Sequence, residues 1–483
     1  MILTVTIINV AIPDIMGAFG IGQDEAQWLS SGYLAATTSA MLTADWCIRR
    51  IGRRVTYLLA MAVFVAGSMI GGTATDIDVL IFGRVLQGAA AGIVQPLAML
   101  TMFQIFPPEE RGKAMGIYGL GVILAPAVGP YVGGLAVDAF SWRYVMYIPV
   151  PFCLCASVFA VFALPLKEPQ TGTIRFDWLG FSFLLVFILC LMIGLTNGPR
   201  EGWHSDEIVT YLIASVVGFA GFVIWELSTS DPLLDLRMFA SFRFCAGAFV
   251  SFVFGVTLFG SLYIIPLFVQ LVQDYTATRS GLLQIPAGIA MAIAFPIVGR
   301  LSDLGGSRSF MVAGLLLLGY SSFLMVGADK HTSFWVFAWW LILSRLGLAL
   351  VFPPLSAASL RVLPPALTSQ GSGAINFLRT LGGAFGVNYL AISTDQLTVL
   401  YQSRLAPSQS EGNAATMEYL ELLRQLLENA GLAETIREPT ALFYLGQVVA
   451  KQSLMLAYRD GFLLLAIAGF VAILPTLFVR PKS

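Results

Sequence analysis

Charge is scarce in this sequence. Asp, Glu, Lys and Arg together make up 11% of its 483 residues, against about 25% in a soluble globular chain. So few charges cannot cover the several soluble domains that this length would require. Histidine is rarer still, with only His204 and His331, both between apolar runs. The five cysteines form no CxxC pair and no zinc spacing, so they read as small buried hydrophobes. Without clustered His, Cys, Asp or Glu, the sequence offers no metal site, no cofactor site and no catalytic triad, and it does not read as an enzyme. A net charge of −1 gives no basic surface for nucleic acid. No carboxylate falls near the middle of any long apolar run.

What is abundant is apolar side chain. Hydrophobic residues make up 57% of the chain and the mean hydropathy is +0.81. A helix needs about 20 apolar residues to cross a bilayer core. Fourteen such runs lie near 2–19, 28–46, 55–74, 79–102, 113–135, 144–164, 177–196, 208–228, 245–271, 280–300, 309–327, 334–356, 368–393 and 459–479. The expectation is an all-α integral membrane protein with 14 transmembrane helices. An even number of spans puts both termini on one side. Loops on that side carry fifteen Lys and Arg residues, against four on the opposite short loops. By the positive-inside rule both ends are cytoplasmic. One extracytoplasmic loop is long, 396–458. Within it Met417, Leu420, Leu423 and Leu427 share one helical face, and Gly431 is a stop.

The chain repeats itself. "DWCIRRIGRR" (Asp45–Arg54) and "GRLSDLGGSR" (Gly299–Arg308) share a frame at an offset of 254. Pro107–Pro108 and Pro364–Pro365 are offset by 257, and Arg84 and Arg345 by 261. Three landmarks at nearly one offset imply two related halves, residues 1–164 and 245–479, each a six-helix bundle. Residues 165–244 then supply two inserted helices. Many secondary transporters are built from such repeats, with the substrate site near the midplane between them.

The fifth run contains "GVILAPAVGPYVGG", a poor helix by propensity, since each Gly costs about 1 kcal/mol and each Pro about 3. Its small residues recur every four positions, at Gly121, Ala125, Gly129 and Gly133. That stripe lets two helix backbones touch, and contact of this kind drives association inside lipid.

These residues resemble the antiporter motif of the Major Facilitator Superfamily, carried by Gly121, Gly129, Pro130, Gly133 and Gly134. "RVLQGAAAG" resembles the superfamily's Arg-x-x-Gln-Gly pattern through Arg84, Gln87 and Gly88. "NVAIP", "WRYVMYIPVP" and "NFLRTLGGAFG" resemble further landmarks of it. Fourteen spans match the EmrB/QacA-type drug:proton antiporters. The resemblance implies a Major Facilitator fold, two six-helix bundles plus two extra central helices. It also implies alternating access, export of hydrophobic or amphipathic small molecules, and proton entry as the driving force. Family members in two-membrane bacteria sit in the inner membrane and work with a periplasmic adaptor protein, a role open to the 396–458 loop. Alternatives are a dedicated metabolite or siderophore exporter, and a non-transporting receptor or scaffold of the same fold.

Two departures stand out. The first cytoplasmic loop keeps Gly52, Arg53 and Arg54 but has Asp45 at the family's glycine position and Arg49 at its aspartate position. The second copy keeps Gly299, Asp303, Gly306 and Arg308. Where the family often carries an aspartate five residues before Asn9, this chain has Thr4. Charges at membrane depth cost about 2.5–3.5 kcal/mol or more, so Arg84, Arg345 and Arg379 must face polar surroundings. Arg84 and Asp14 are the coupling candidates. Asn9, Gln87, Gln95, Phe254, Tyr263, Gln270, Trp339, Trp340, Asn376 and Arg379 are the candidates for a mostly apolar substrate cavity.

Overall fold

The computed structural model of the chain describes residues 2–105, 128–164, 176–229, 232–303, 307–364, 367–410 and 412–478. Among the described residues there is no strand. A helix lies on each apolar run. They are α1 (Ile2–Phe19), α2 (Trp28–Met41), α3 (Arg53–Gly72), α4 (Ile77–Ile105), α5 (128–139), α6 (Pro149–Ala163) and α7 (Trp178–Glu201). Then follow α8 (Asp206–Ser228), α9 (Phe242–Leu271), α10 (Ala277–Asp303), α11 (Ser307–Met325), α12 (Phe334–Arg361), α13 (Thr368–Leu405) and α14 (Glu434–Val471).

Ten helices among the described residues are long and apolar enough to cross a membrane. α2 and α13 are not among them, α2 because its 14 residues are too few and α13 because it carries too many polar side chains. α2 buries nearly every residue from Leu29 to Met41. α13 packs against α9, α14, α2, α7 and α12. Interior helices touch protein rather than lipid, so they tolerate polar side chains. The hydroxyls of α2 bond back into the helix: Ser31 Oγ donates to Gln27 O (2.9 Å), Thr38 Oγ1 to Leu34 O (2.7 Å) and Ser39 Oγ to Ala35 O (3.0 Å). No polar group is left without a partner at those positions.

Lipid offers no hydrophobic drive for one helix to leave it for another, so close backbone contact holds such bundles together. Glycines supply it. A Cβ on Gly67 of α3 would lie 2.7 Å from Gly83 O of α4, and one on Gly83 would lie 2.8 Å from Gly67 O. Gly314 of α11 and Gly347 of α12 make the same reciprocal pair, at 2.7 and 2.8 Å. Gly129 and Gly133 of α5 lie against Thr6 and Ile7 of α1. Gly382 and Gly386 of α13, each 253 residues further on, lie against Phe252 and Val256 of α9.

Two elements differ from the sequence expectation. The second run stops at Met41, and Ala44–Ile51 forms a separate short helix. Gly52 then turns the chain into α3 with φ +81°, a conformation that glycine adopts without steric cost. The 396–458 segment is mostly helix: α13 continues to Leu405 and α14 begins at Glu434. Length and apolarity mark where a span could end, but "QLTVLYQSRL" holds no helix breaker, so the helix runs on. The short helix Ala414–Asn429 forms as its spacing predicts. Asn413 caps its start, and Gly431 (φ +78°) ends it. It packs on α14, tied by Arg424–Glu438 (2.9 Å) and Arg437–Glu428 (3.3 Å).

Candidate functional site

A polar path crosses the bundle from α4 to α12. Arg84 on α4 is 1% exposed. Its Nε donates to Leu29 O of α2 (2.9 Å) and its Nη1 to Gln87 Oε1 (2.8 Å). Gln87 Nε2 in turn donates to Ser68 Oγ of α3 (2.8 Å). The guanidinium carbon lies 4.3 Å from the centroid of the Tyr33 ring, a cation–π contact that offsets part of the lost hydration. Tyr33 also hydrogen-bonds with Thr4 of α1. Ser30, next to Leu29, donates to Asn9 Oδ1 (2.6 Å), and Asn9 Nδ2 donates to Leu262 O of α9 (2.9 Å). Beside Leu262, Ser261 Oγ accepts from Arg345 Nη1 of α12 (3.0 Å).

The two ends of this path match. Arg84 is linked through Tyr33 to the hydroxyl residue Thr4 on α1. Arg345 bonds the hydroxyl residue Ser261 on α9. Thr4 and Ser261 are 257 residues apart, and the two arginines 261. Among the described residues no carboxylate reaches either arginine, and Nη2 of each has no hydrogen-bond partner. Both cations therefore rest on carbonyls, hydroxyls, an amide and one aromatic ring.

The remaining candidates divide. Phe254 and Arg379 meet across α12: the Phe254 ring lies 5.7 Å from Phe352, and the Arg379 guanidinium lies 4.9 Å from that same ring. Tyr263 is fully buried beside Leu262. Gln95 and Gln270 are half-buried. Asn376 is half-buried too and donates to Ser372 O in its own helix. Trp340 is half-buried with its ring 5.8 Å from Phe337. Trp339 is 58% exposed. Asp14 is exposed near the end of α1.

Within the stripe on α5, Gly129 and Gly133 lie on α1, while Gly134 and Pro130 lie on Ala277 and Gly281 of α10. Asp138 Oδ2 accepts from Thr278 N there (2.8 Å). The stripe thus joins an early helix to a late one. Gly121 and Gly306 lie outside the described residues, as do the side chains of Asp45 and Asp303. Gly299, Arg53, Arg54 and Arg308 flank the loops at the other end of the bundle.

Sequence reasoning missed Tyr33, Ser30, Ser68 and Ser261. The signal available was the Ser/Thr density of "WLSSGYLAATTSAM", unusual for a lipid-facing helix.

The family model described as Major Facilitator Superfamily matches residues 1–387. The chain is 28% identical to the multidrug export protein EmrB of Haemophilus influenzae, over 99% of this chain and 93% of that one. It is 29% identical to the uncharacterized MFS-type transporter YhcA of Bacillus subtilis, over 99% and 90%. Among solved structures, an auto-inhibited POT family peptide transporter has the same fold, with a TM-score of 0.59 at 14% identity, covering 98% of this chain and 94% of that one. Ten membrane-length helices among the described residues and glycine-to-backbone seams agree with these likenesses: the chain is a multi-pass membrane transporter rather than an enzyme, and it belongs to the Major Facilitator Superfamily.

Proposed function

We propose that the chain is a secondary active transporter that exports hydrophobic or amphipathic small molecules by proton antiport with alternating access. The observation that carries this reading is the Asn9–Leu262 bond inside the polar path. It ties α1 to α9, helices of the two halves proposed from the repeat. The matched glycine pairs of α5 on α1 and α13 on α9 support those halves as 1–164 and 245–479, with 165–244 inserted between them. At the end of the bundle where α1 stops, the halves meet through Gly134–Ala277, Pro130–Gly281 and Asp138–Thr278. Export requires these contacts to part. Relatives named for multidrug export support a broad, apolar substrate class, and the Phe254–Phe352–Arg379 group supports an aromatic wall for it. Arg84 and Asp14 remain the coupling candidates.

In this reading all fourteen helices span a bacterial inner membrane with both termini cytoplasmic. The helical extension of α13 and α14 is then extracytoplasmic and available to an adaptor protein. Dye efflux from cells expressing the chain, with and without a protonophore, tests the function. Expected is rapid efflux that the protonophore stops. Equal dye retention in expressing and empty cells overturns it.

A further inference from the structure

Among the described residues, one acidic side chain is more than nine-tenths buried: Glu226, near the end of α8, at 2% exposure. It belongs to no part of the polar path. Its Oε2 accepts from the main-chain N–H of Leu234 (3.1 Å), eight residues on, in the link that leads to α9. Its Oε1 has no donor. Asp177, just before α7, has the same imbalance. Its Oδ1 accepts from Gly180 N (2.9 Å) and from Trp225 Nε1 (2.8 Å), while its buried Oδ2 has no donor. The two unmatched oxygens border the same spot. A Cβ placed on Gly180 would lie 2.5 Å from Asp177 Oδ2 and 2.7 Å from Glu226 Oε1, so both oxygens crowd the patch that only a glycine leaves free.

Two ionised carboxylates cannot share such a patch, because like charges at short range in a desolvated site repel strongly. Among the described residues no cation relieves them. The charged groups acting on Glu226 are Asp177, just before α7, and Asp235 on the link, both acidic. Buried oxygens without donors are rare in folded proteins. A single proton removes both defects at once. Glu226 is the more deeply buried of the two, 2% exposed against a half-buried Asp177, so the proton sits on Glu226. Glu226 is then the acid, and its O–H donates to Asp177 Oδ2.

We propose that Asp177 and Glu226 form a proton-binding site that holds one shared proton and, through it, fastens the α7–α8 pair to the start of α9. The connection is physical. The link held by Glu226 buries Leu234 and Met238 in the main core, and its turn Leu236–Ala240 packs on α9. At its other end α7 reaches the interior, where Thr196 Oγ1 donates to Asn388 Oδ1 of α13 (2.9 Å). When the proton leaves, two negative charges face each other at Gly180, and the grip on Leu234 loosens. Stability is therefore greatest while the proton is bound and falls as pH rises. This site goes beyond the transport reading and does not rest on it.

The test uses the purified full chain in detergent, with thermal unfolding followed from mildly acidic to mildly alkaline pH. Wild type is expected to lose Tm as pH rises. Glu226→Gln keeps an acceptor for Leu234 and supplies an N–H donor to Asp177, so its Tm is expected to vary with pH by less than half as much. Infrared difference spectra at neutral pH read the proton itself: wild type shows a buried protonated-carboxyl band that Glu226→Gln lacks. Should Glu226→Gln not fold, Asp177→Asn carries the same comparison. A wild-type profile shared by both variants, or no protonated-carboxyl band in wild type, overturns the proposal. So does stabilisation of wild type but not Glu226→Gln by sodium, potassium or magnesium chloride, since the pair would then be a metal-cation site.

Discussion

The side-chain amide of Asn9 on α1 donates to the main-chain carbonyl of Leu262 on α9, 2.9 Å away and 253 residues along the chain. Both partners are buried, so the bond joins distant parts of the chain where water does not compete. Membrane hydrogen bonds average about 0.6 kcal/mol by double-mutant cycles, with a maximum near 1.7. Asn9→Ala removes this bond and the one from Ser30, and is expected to destabilise by about 1 kcal/mol. It should also speed modification of a cysteine placed at Ala277 by an impermeant thiol reagent. Unchanged labelling and unchanged Tm would show that the contact holds nothing together.

Gly129 has Thr6 Oγ1 where a side chain would go. Gly129→Leu forces α5 away from α1 and should abolish export, with a stability loss of about 1–3 kcal/mol from overpacking. Export at the wild-type rate from equal amounts of membrane protein is the result that contradicts this.

Arg84→Lys keeps the charge but cannot serve Leu29 O and Gln87 Oε1 from one planar fork. Export is expected to fall roughly tenfold, the equivalent of about 1.4 kcal/mol. Arg84→Ala leaves Gln87 and Leu29 O unmatched as well and should fall further. Measured efflux rates that rank alanine above lysine would point to packing instead of charge.

Asp329 lies in the loop between α11 and α12. Its Oδ1 accepts from Thr332 Oγ1 (2.8 Å) and His331 N (2.9 Å). The Thr332 hydroxyl, first, and the backbone N–H groups hold its carboxyl below the usual range. A carboxyl lowered in the folded state stabilises above its unfolded value of about 3.9, and the gain is lost as pH falls below that. Asp329→Asn should lower stability, and with it Tm, slightly at neutral pH, by less than about 1 kcal/mol for a loop group that still faces solvent. The gap to wild type should close in acid. A gap that widens on acidification runs against the sign.

Much of the fold was legible because the membrane imposes a length and an apolarity on each helix. The glycine stripe on α5 and the stop at Gly431 were readable because each is a residue type required by a local geometry. The interior helices were harder. α2 and α13 face protein, so apolarity no longer marks their ends, and α13 runs past 393 to Leu405. The site was legible in its arginines and amides but not in their partners. Tyr33, Ser261 and the Asp177–Glu226 pair are brought together by packing between helices, which no spacing along one helix encodes.

α13 and α14 each contain 38 residues, about 57 Å of helix, where a bilayer core is about 30 Å thick. α13 has no proline to break it. Its C-terminal end is clasped to α14 through Tyr401 Oη, which donates to Asp460 Oδ2 (2.6 Å). One unbroken helix therefore runs from its tip at Leu405 to Arg379, and a sideways force at the tip becomes a torque on the interior of the bundle.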